Sequence, residues 1–242
     1  MPTSRREFVQ LSVLTAGAAG LAAAARTSKA AAGEATEKLK ILVLGGTGLI
    51  GPPLVEHALV RGHEVTLFNR GKTNTHLFPD VEKLTGDRND DISAITKAVA
   101  DGRRWDVVID NTASIPRWVT ESAGALADAA DLYLYTSSIS AYADASTPGA
   151  DETAALGQIS AEDEAKVATT KDITGENYGP LKARCEEEAR KAFPDKTIVV
   201  RPGLIVGQYD RSDRFTYWPV RIHRGGEVMA PGNPDDPVQF ID

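Results

Sequence analysis

The sequence holds a single cysteine, Cys185, in 242 residues. That excludes an internal disulfide and any multi-cysteine metal site. Its four histidines, His57, His63, His76 and His223, are scattered without metal-ligand spacing, so no metal is expected. Basic residues are outnumbered 27 to 34 by acidic ones, for a formal charge of −7. Such a surface is repelled by a phosphate backbone, which argues against nucleic acid as a partner. No strongly apolar run is long enough to cross a membrane comfortably. The one candidate, Val9 to Ala25, is largely alanine, glycine and leucine and makes a poor span. Internal repeats are absent as well. What remains, 42% hydrophobic and 25% charged, is an ordinary globular mix with enough chain for one sizeable core and a small appendage.

The first 32 residues differ from the rest. Arg5-Arg6 precede the apolar stretch, and small residues ending Ala30-Ala31-Ala32 follow it. Basic start, weakly apolar middle and small-residue exit describe an export signal, and the arginine pair resembles the twin-arginine class. Residues 1–32 are therefore expected to be a signal and 33–38 a linker. The protein is expected in the periplasm or cell envelope, or in the cytoplasm if the leader is not processed. Without the leader, which holds four basic residues and one acidic, the formal charge is −10.

From Leu39 onward, short apolar runs alternate with segments of helical period. Strands are expected at Leu39–Leu44, Glu64–Phe68, Val81–Thr85, Asp106–Asp110, Leu132–Ser137 and Thr197–Arg201. Helices are expected near 49–61, 91–101, 117–130 and 180–193. This alternation predicts an α/β fold: a doubly wound parallel sheet with helices on both faces. The polar, acidic segment 144–176 reads as a long surface excursion. After Gly203 the chain is loop-rich, with short strands expected around Glu227–Ala230 and Val238–Ile241. The predicted division is a dinucleotide-binding domain over 39–202 and a partial substrate lobe over 203–242. The apolar close "PVQFID" suggests a record cut within a domain.

The first strand runs into "GGTGLIG", Gly45 to Gly51, which satisfies a glycine-rich dinucleotide motif in two registers and opens a helix. Such a turn lets backbone approach a diphosphate, and the helix N-terminus favours its charge. Gly45, Gly46, Thr47, Gly48, Leu49, Ile50 and Gly51 are the expected cradle. Pro52 and Pro53 suit a first helical turn, where no intrahelical donor is required. NAD-binding folds carry an acid at the end of the second strand, where this chain has Asn69, followed by Arg70 and Lys72. A guanidinium can grip a 2′-phosphate that a carboxylate would repel, so the cofactor is expected to be NAD(P), leaning to NADP. The alternative is that Arg70 stacks on the adenine or faces water. Asp87 in "TGDRND", with Arg88 beside it, could contact the adenine, or be an ordinary turn carboxylate.

Further along, "LYLYTSSISAY" ends a strand in hydroxyls, and "NYGPLKARCEEEARKAF" places Tyr178 and Lys182 four residues apart. On a helix both would project from one face. Lys182 would then favour the phenolate of Tyr178 and lower its pKa, while Ser138 held a substrate oxygen. Pro180 disfavours helical geometry at Gly179, so Tyr178 is expected just ahead of the helix. Cys185 reads as a small packing residue, and Glu186, Glu187 and Glu188 as a solvated helix face.

Together "GGTGLIG", "GDRND", "TSSISAY", "YGPLK" and "RPGLIVG" resemble the extended short-chain dehydrogenase/reductases, the NAD-dependent epimerase/dehydratase family. The resemblance implies Ser138, Tyr178 and Lys182 as the catalytic set. It implies a pyrophosphate turn at Gly45, Gly48 and Gly51, an adenine contact at Asp87, and cofactor contacts at Asn111, Ala113 and Pro202. Family dehydratases carry an Asp-Glu pair after the serine, and here those positions are Ile139 and Ser140, so dehydration is disfavoured.

The expected activity is hydride transfer at a secondary alcohol or ketone of a sugar-like substrate, by an oxidoreductase or epimerase. A non-catalytic dinucleotide-binding or RNA-associated protein on the same fold is the alternative. An exported enzyme would hold its cofactor tightly and recycle it, acting on a free sugar or wall-related polyol. Arg211, Arg214, Tyr217 and Trp218 could contact substrate, with packing of the two aromatic residues into a lobe interface weighed equally. A homodimer stays open.

Overall fold

A computed structural model describes residues 37–147, 149–230, 232, 233, 235 and 238–241. The expected leader, and all but the last two residues of the linker, lie outside them. Among the described residues, no helix is long and apolar enough to cross a membrane.

The main sheet comprises β1 (Lys40–Leu44), β2 (Glu64–Asn69), β3 (Glu82–Thr85), β4 (Trp105–Asp110), β5 (Ala130–Thr136) and β6 (Thr197–Val200). Every pairing is parallel and the order is β3-β2-β1-β4-β5-β6. This is the doubly wound Rossmann arrangement. The strand order reverses between β1 and β4, and ligands of such sheets bind in the crevice beyond the carboxyl ends of those strands.

The pleat explains the packing. Ile41 and Val43 turn to one face, where they meet Val55 and Ala58 of α1 (Gly51–Val60). Leu42 and Leu44 turn to the other and join Ile95 of α2 (Ser93–Ala100), Val119 and Ala123 of α3 (Pro116–Leu126), and Ala189 of the long helix α5 (Gly175–Ala192). Coverage of the two faces is unequal: on β6, Ile198 and Val200 stay 46% and 44% exposed.

Several elements depart from the sequence expectation. The supposed excursion at 144–176 contains a helix, α4 (Ala161–Thr170). The Ser160 side chain accepts the Asp163 amide, and three acids fill its first turn, a start signal stronger than the weak apolar pattern. Helix α3 ends at Leu126 rather than near 130, because Ala130 already pairs with Trp105. The strand expected at 227–230 does not form. Arg221 on α6 (Tyr217–His223) bonds the carbonyls of Gly225 and Glu227 and draws that segment around the helix end. Near the end of the chain, β7 (Leu204–Ile205) and β8 (Phe240–Ile241) pair as a separate parallel ribbon.

Candidate functional site

At the end of β1 the chain turns at Gly45, whose φ of +94° disfavours other residues, and a Cβ there would lie 2.1 Å from Thr112 Cγ2. The turn is thus pressed against the exit of β4. Gly46 and Gly51 pack on Leu67 and on the turn backbone, so they shape the loop from beneath. Gly48 is different, since a Cβ added to it would meet nothing within 4 Å.

Two clefts open on either side of Gly48, and both are lined by Gly45, Gly48 and Thr112. The first, of about 240 Å³, adds Thr47, Asn69, Arg70, Lys72, Asp87, Arg88 and Trp118. The second, of about 230 Å³, adds Leu49, Ile50, Asn111, Ser137, Tyr178 and Lys182. The two clefts share a wall at the switch point and between them reach from the basic residues after β2 to the phenol on α5.

The clefts have the donors an anionic, hydroxyl-rich ligand needs. Pro52 and Pro53 remove two first-turn amides, and the Gly51 amide is taken by the Gly48 carbonyl at 3.2 Å. The amides of Gly46, Thr47, Gly48, Leu49 and Ile50 bond nothing among the described residues. The buried Asn69 Nδ2, Asn111 Nδ2, Arg88 Nε and Trp118 Nε1 also have no hydrogen-bond partner among them. Arg70 is exposed. Open space at Gly48, free turn amides and orphaned amide donors at Asn69 and Asn111 fit a dinucleotide laid along these clefts.

The walls rest on two buried ionic clusters. Asp110, at the end of β4, accepts Arg88 at two points (2.9 and 2.5 Å), Tyr133 Oη (2.7 Å) and the amides of Thr112 and Ala113. Arg88 lines the first cleft as expected and also buttresses its wall, with its terminal nitrogens spent on Asp110 and Ser122. Ala113 is corrected: it is fully buried and absent from both clefts, which Thr112 and Ser114 line instead. Its carbonyl receives the Tyr135 hydroxyl (2.7 Å) and Lys182 Nζ (2.9 Å). Pro202 lines neither cleft, and its carbonyl accepts the Ile139 amide.

The second cluster corrects the solvated reading of Glu186, which is fully buried. It accepts Ser137 Oγ (2.6 Å) and Arg201 Nε and Nη2 (2.9 and 2.7 Å). Burial raises its pKa, but these bonds and the charges of Arg201 and Arg190 outweigh that and hold it below the ordinary glutamate value. Its spacing, one turn after Lys182 and two after Tyr178, was the available signal. Residues at that spacing share the face turned to the sheet.

Tyr178 lies inside α5, not ahead of it. Thr174 and Asn177 form a reciprocal capping box that starts the helix at Gly175. Gly179 tolerates helical geometry before Pro180 because it lacks the Cβ that proline would crowd. The same absence admits Ser140, whose carbonyl oxygen would lie 2.0 Å from a Cβ at position 179. Ser138, beside that contact, accepts the Ser140 amide (3.1 Å).

Lys182 Nζ is bound to the carbonyls of Ala113 (2.9 Å) and Thr136 (2.6 Å) and lies 4.4 Å above the Tyr135 ring. Burial lowers its pKa to about 8. The expected depression of Tyr178 by Lys182 is not found. Burial holds the phenol above its ordinary value, against opposing pulls from the Ser138 hydroxyl and the Arg214 charge. Cys185 packs in the core, where burial pushes its thiol up to about 12 and keeps it protonated.

Of the expected substrate contacts, Arg211 reaches Asn74 Oδ1 (2.7 Å), and Asn74 Nδ2 donates to the Thr47 carbonyl (3.0 Å). Arg214 donates to the carbonyl of Ile205, which lines the second cleft. Tyr217 and Trp218 stack edge-on on α6, 50% and 36% exposed. They line neither cleft and are buried in no interface.

The arrangement resembles solved structures at the level of fold. WbmH from Bordetella bronchiseptica, solved with NAD+, is 16% identical with a TM-score of 0.59, over 78% of this chain and 63% of that one. WbmG from the same organism, solved with NAD and UDP, is 17% identical (TM-score 0.55), over 71% and 55%. UDP-N-acetylglucosamine 4-epimerase from Bacillus cereus is 19% identical (TM-score 0.51), over 70% and 55%. The chain thus spans less than two thirds of the length of these structures. No curated protein sequence matches it. The sequence profile of the NAD dependent epimerase/dehydratase family, however, covers residues 41–242, taking in the glycine turn, the Ser138 strand end and the Tyr178–Lys182 helix, and to this family the chain belongs.

Proposed function

We propose that the protein is an NAD(P)-dependent epimerase or oxidoreductase acting at a secondary alcohol or ketone of a sugar-like substrate. The observation that carries this reading is the pair of clefts that share Gly45, Gly48 and Thr112, one reaching Arg70 and Lys72 after β2 and the other the phenol of Tyr178. In support, two solved structures of the same fold hold NAD, and one of them also UDP.

Asn69, Arg70 and Lys72 would receive the adenosine end of the dinucleotide, with NADP favoured by the two cations. The Leu49 and Ile50 amides would hold its diphosphate. When bound, such a dinucleotide would supply hydride-transfer chemistry at the substrate carbon. Tyr178 accepts the hydroxyl proton as the carbonyl forms and returns it on reversal. Ser138 donates a hydrogen bond to the same oxygen, and Asn111 steadies the ring side of the cleft. Lys182 braces the Ala113 and Thr136 carbonyls, which fixes the cleft floor. Elimination of water is not part of the proposal, because Ile139 and Ser140 carry no acid-base pair. If the chain is exported, the cofactor is one that stays bound between turnovers.

Native mass spectrometry tests the first half of this reading, with a nicotinamide dinucleotide expected to co-elute. Tyr178→Phe tests the second. It should abolish hydride transfer and leave dinucleotide affinity within about twofold, a loss of under about 0.5 kcal/mol. If the wild type transfers no more hydride than the variant because neither transfers any, the non-catalytic reading is the better one.

A further inference from the structure

Trp118 stands on the first turn of α3 and serves two environments. It packs against the buried cluster of Ile115, Val167 and Leu181, where α4 and α5 meet the start of α3. It also lines the first cleft, together with Thr112, Asp87 and Arg88. Its Nε1 is buried and bonds nothing among the described residues. Buried N–H groups are nearly always paired, so an orphan that borders a cleft points to an acceptor supplied by what the cleft holds.

Two more orphans border the same cleft. Asn69 Nδ2 has no partner, while Asn69 Oδ1 takes the Gly71 amide (2.9 Å), which fixes how the side chain is turned. Arg88 Nε has none either, its terminal nitrogens being committed to Asp110 and Ser122. Against these three donors the lining residues include one carboxylate, Asp87, whose Oδ1 takes the Asn89 amide (3.0 Å). Many donors and one acid are the complement of one base. Adenine presents its ring nitrogens as acceptors and its exocyclic amine as the sole donor. A base protonated at N1 would bring a further donor to a cleft already rich in them.

We propose that Trp118 is a base-binding residue: its indole N–H donates to a ring nitrogen of an adenine seated in the first cleft, and with the orphaned donors of Asn69 and Arg88 it makes that cleft selective for adenine. The proposal deepens the reading above and rests on the adenosine end of a dinucleotide entering this cleft. Because the indole is already packed on Ile115, Val167 and Leu181, its donor is presented without ordering a flexible side chain on binding.

Proton–nitrogen NMR of the indole groups reads this directly, since an indole proton that gains an acceptor moves downfield. The chain has three tryptophans, and Trp105→Phe and Trp218→Phe assign the signal of Trp118 by elimination. The probes are 5′-AMP and 2′,5′-ADP, the adenosine halves of NAD and NADP. At saturation with the tighter of the two, the Trp118 signal should move downfield, and nicotinamide mononucleotide should leave it in place. Trp118→Phe, which keeps an aromatic ring and removes the donor, should bind that nucleotide about five- to tenfold more weakly. The wild type should prefer 5′-AMP to inosine 5′-monophosphate by a similar factor. If Trp118→Phe does not fold, the wild-type titration decides alone. A Trp118 signal unmoved by a saturating adenine nucleotide overturns the proposal, as does unchanged affinity in a folded Trp118→Phe. With a nicotinamide dinucleotide co-eluting, either result strikes this inference and leaves the proposed activity standing. A wild type that binds no dinucleotide and neither probe strikes both.

Discussion

Glu186 and Arg201 face each other inside the protein, joined at two points (2.9 and 2.7 Å), and so tie the helix that carries Tyr178 to the end of β6. Ser137 donates to the same carboxylate, so the strand end beside Ser138 is held by it as well.

Removing one partner of such a pair leaves the other charge buried and unmatched. Glu186→Ala should cost about 3–5 kcal/mol in urea unfolding. Replacing both residues by apolar ones of similar volume should recover most of the loss. The pH dependence follows from the depressed carboxyl pKa. Its stabilisation is fully present above the ordinary value of 4.5 and is lost as pH falls below it. The gap in stability between wild type and Glu186→Ala should therefore shrink on acidification, which unfolding curves at pH 7 and in mild acid would show.

Gly48 separates ligand contact from folding. A Cβ there meets no protein atom, so Gly48→Val should leave the melting temperature unchanged. The side chain would stand in the clefts, and dinucleotide affinity should fall at least about tenfold, or about 1.4 kcal/mol. Equilibrium dialysis checks the second effect and thermal unfolding the first.

Arg70 and Lys72 border the first cleft beside Asn69. Replacing both with alanine should weaken NADP binding about tenfold or more while changing NAD binding little, because only the former carries a phosphate for the cations to grip. Equal losses for the two dinucleotides would argue against the NADP preference.

Lys182 gives a test at alkaline pH. Burial lowers its pKa from 10.5 to about 8 in the folded protein, so between those values the unfolded chain binds the extra proton. Stability from this group therefore rises with pH across that window, by up to about 3 kcal/mol. Lys182→Met should lack the rise. Denaturant midpoints of both proteins at pH 7.5 and pH 10 measure it.

The sheet was legible because its signals are local. Apolar runs at Ile41–Leu44 and Val107–Ile109, and glycines placed directly after a strand, declare themselves within a few residues. The order of Ser138, Tyr178 and Lys182 along the chain was legible for the same reason. Helix α4 was missed because its signal is a cap and three acids rather than an apolar stripe; Val167 is its one buried residue.

The partners of Glu186 and Arg88 could not be placed from sequence. A glutamate in a run of three reads as surface until Ser137 and Arg201, 49 and 15 residues away, close over it. The partners of the Arg88 terminal nitrogens, Asp110 and Ser122, likewise lie 22 and 34 residues away. Lys182 lines the expected cleft, and its bonds to the Ala113 and Thr136 carbonyls, 69 and 46 residues away, were not legible in the sequence.

The residue order alone determined that a parallel sheet would form and that a glycine-rich turn would join its first strand to a helix, because backbone conformation and hydrophobic alternation depend on near neighbours. Which charges are buried and which groups pair with them was decided only when distant segments met. Burial and pairing are properties of the space between them.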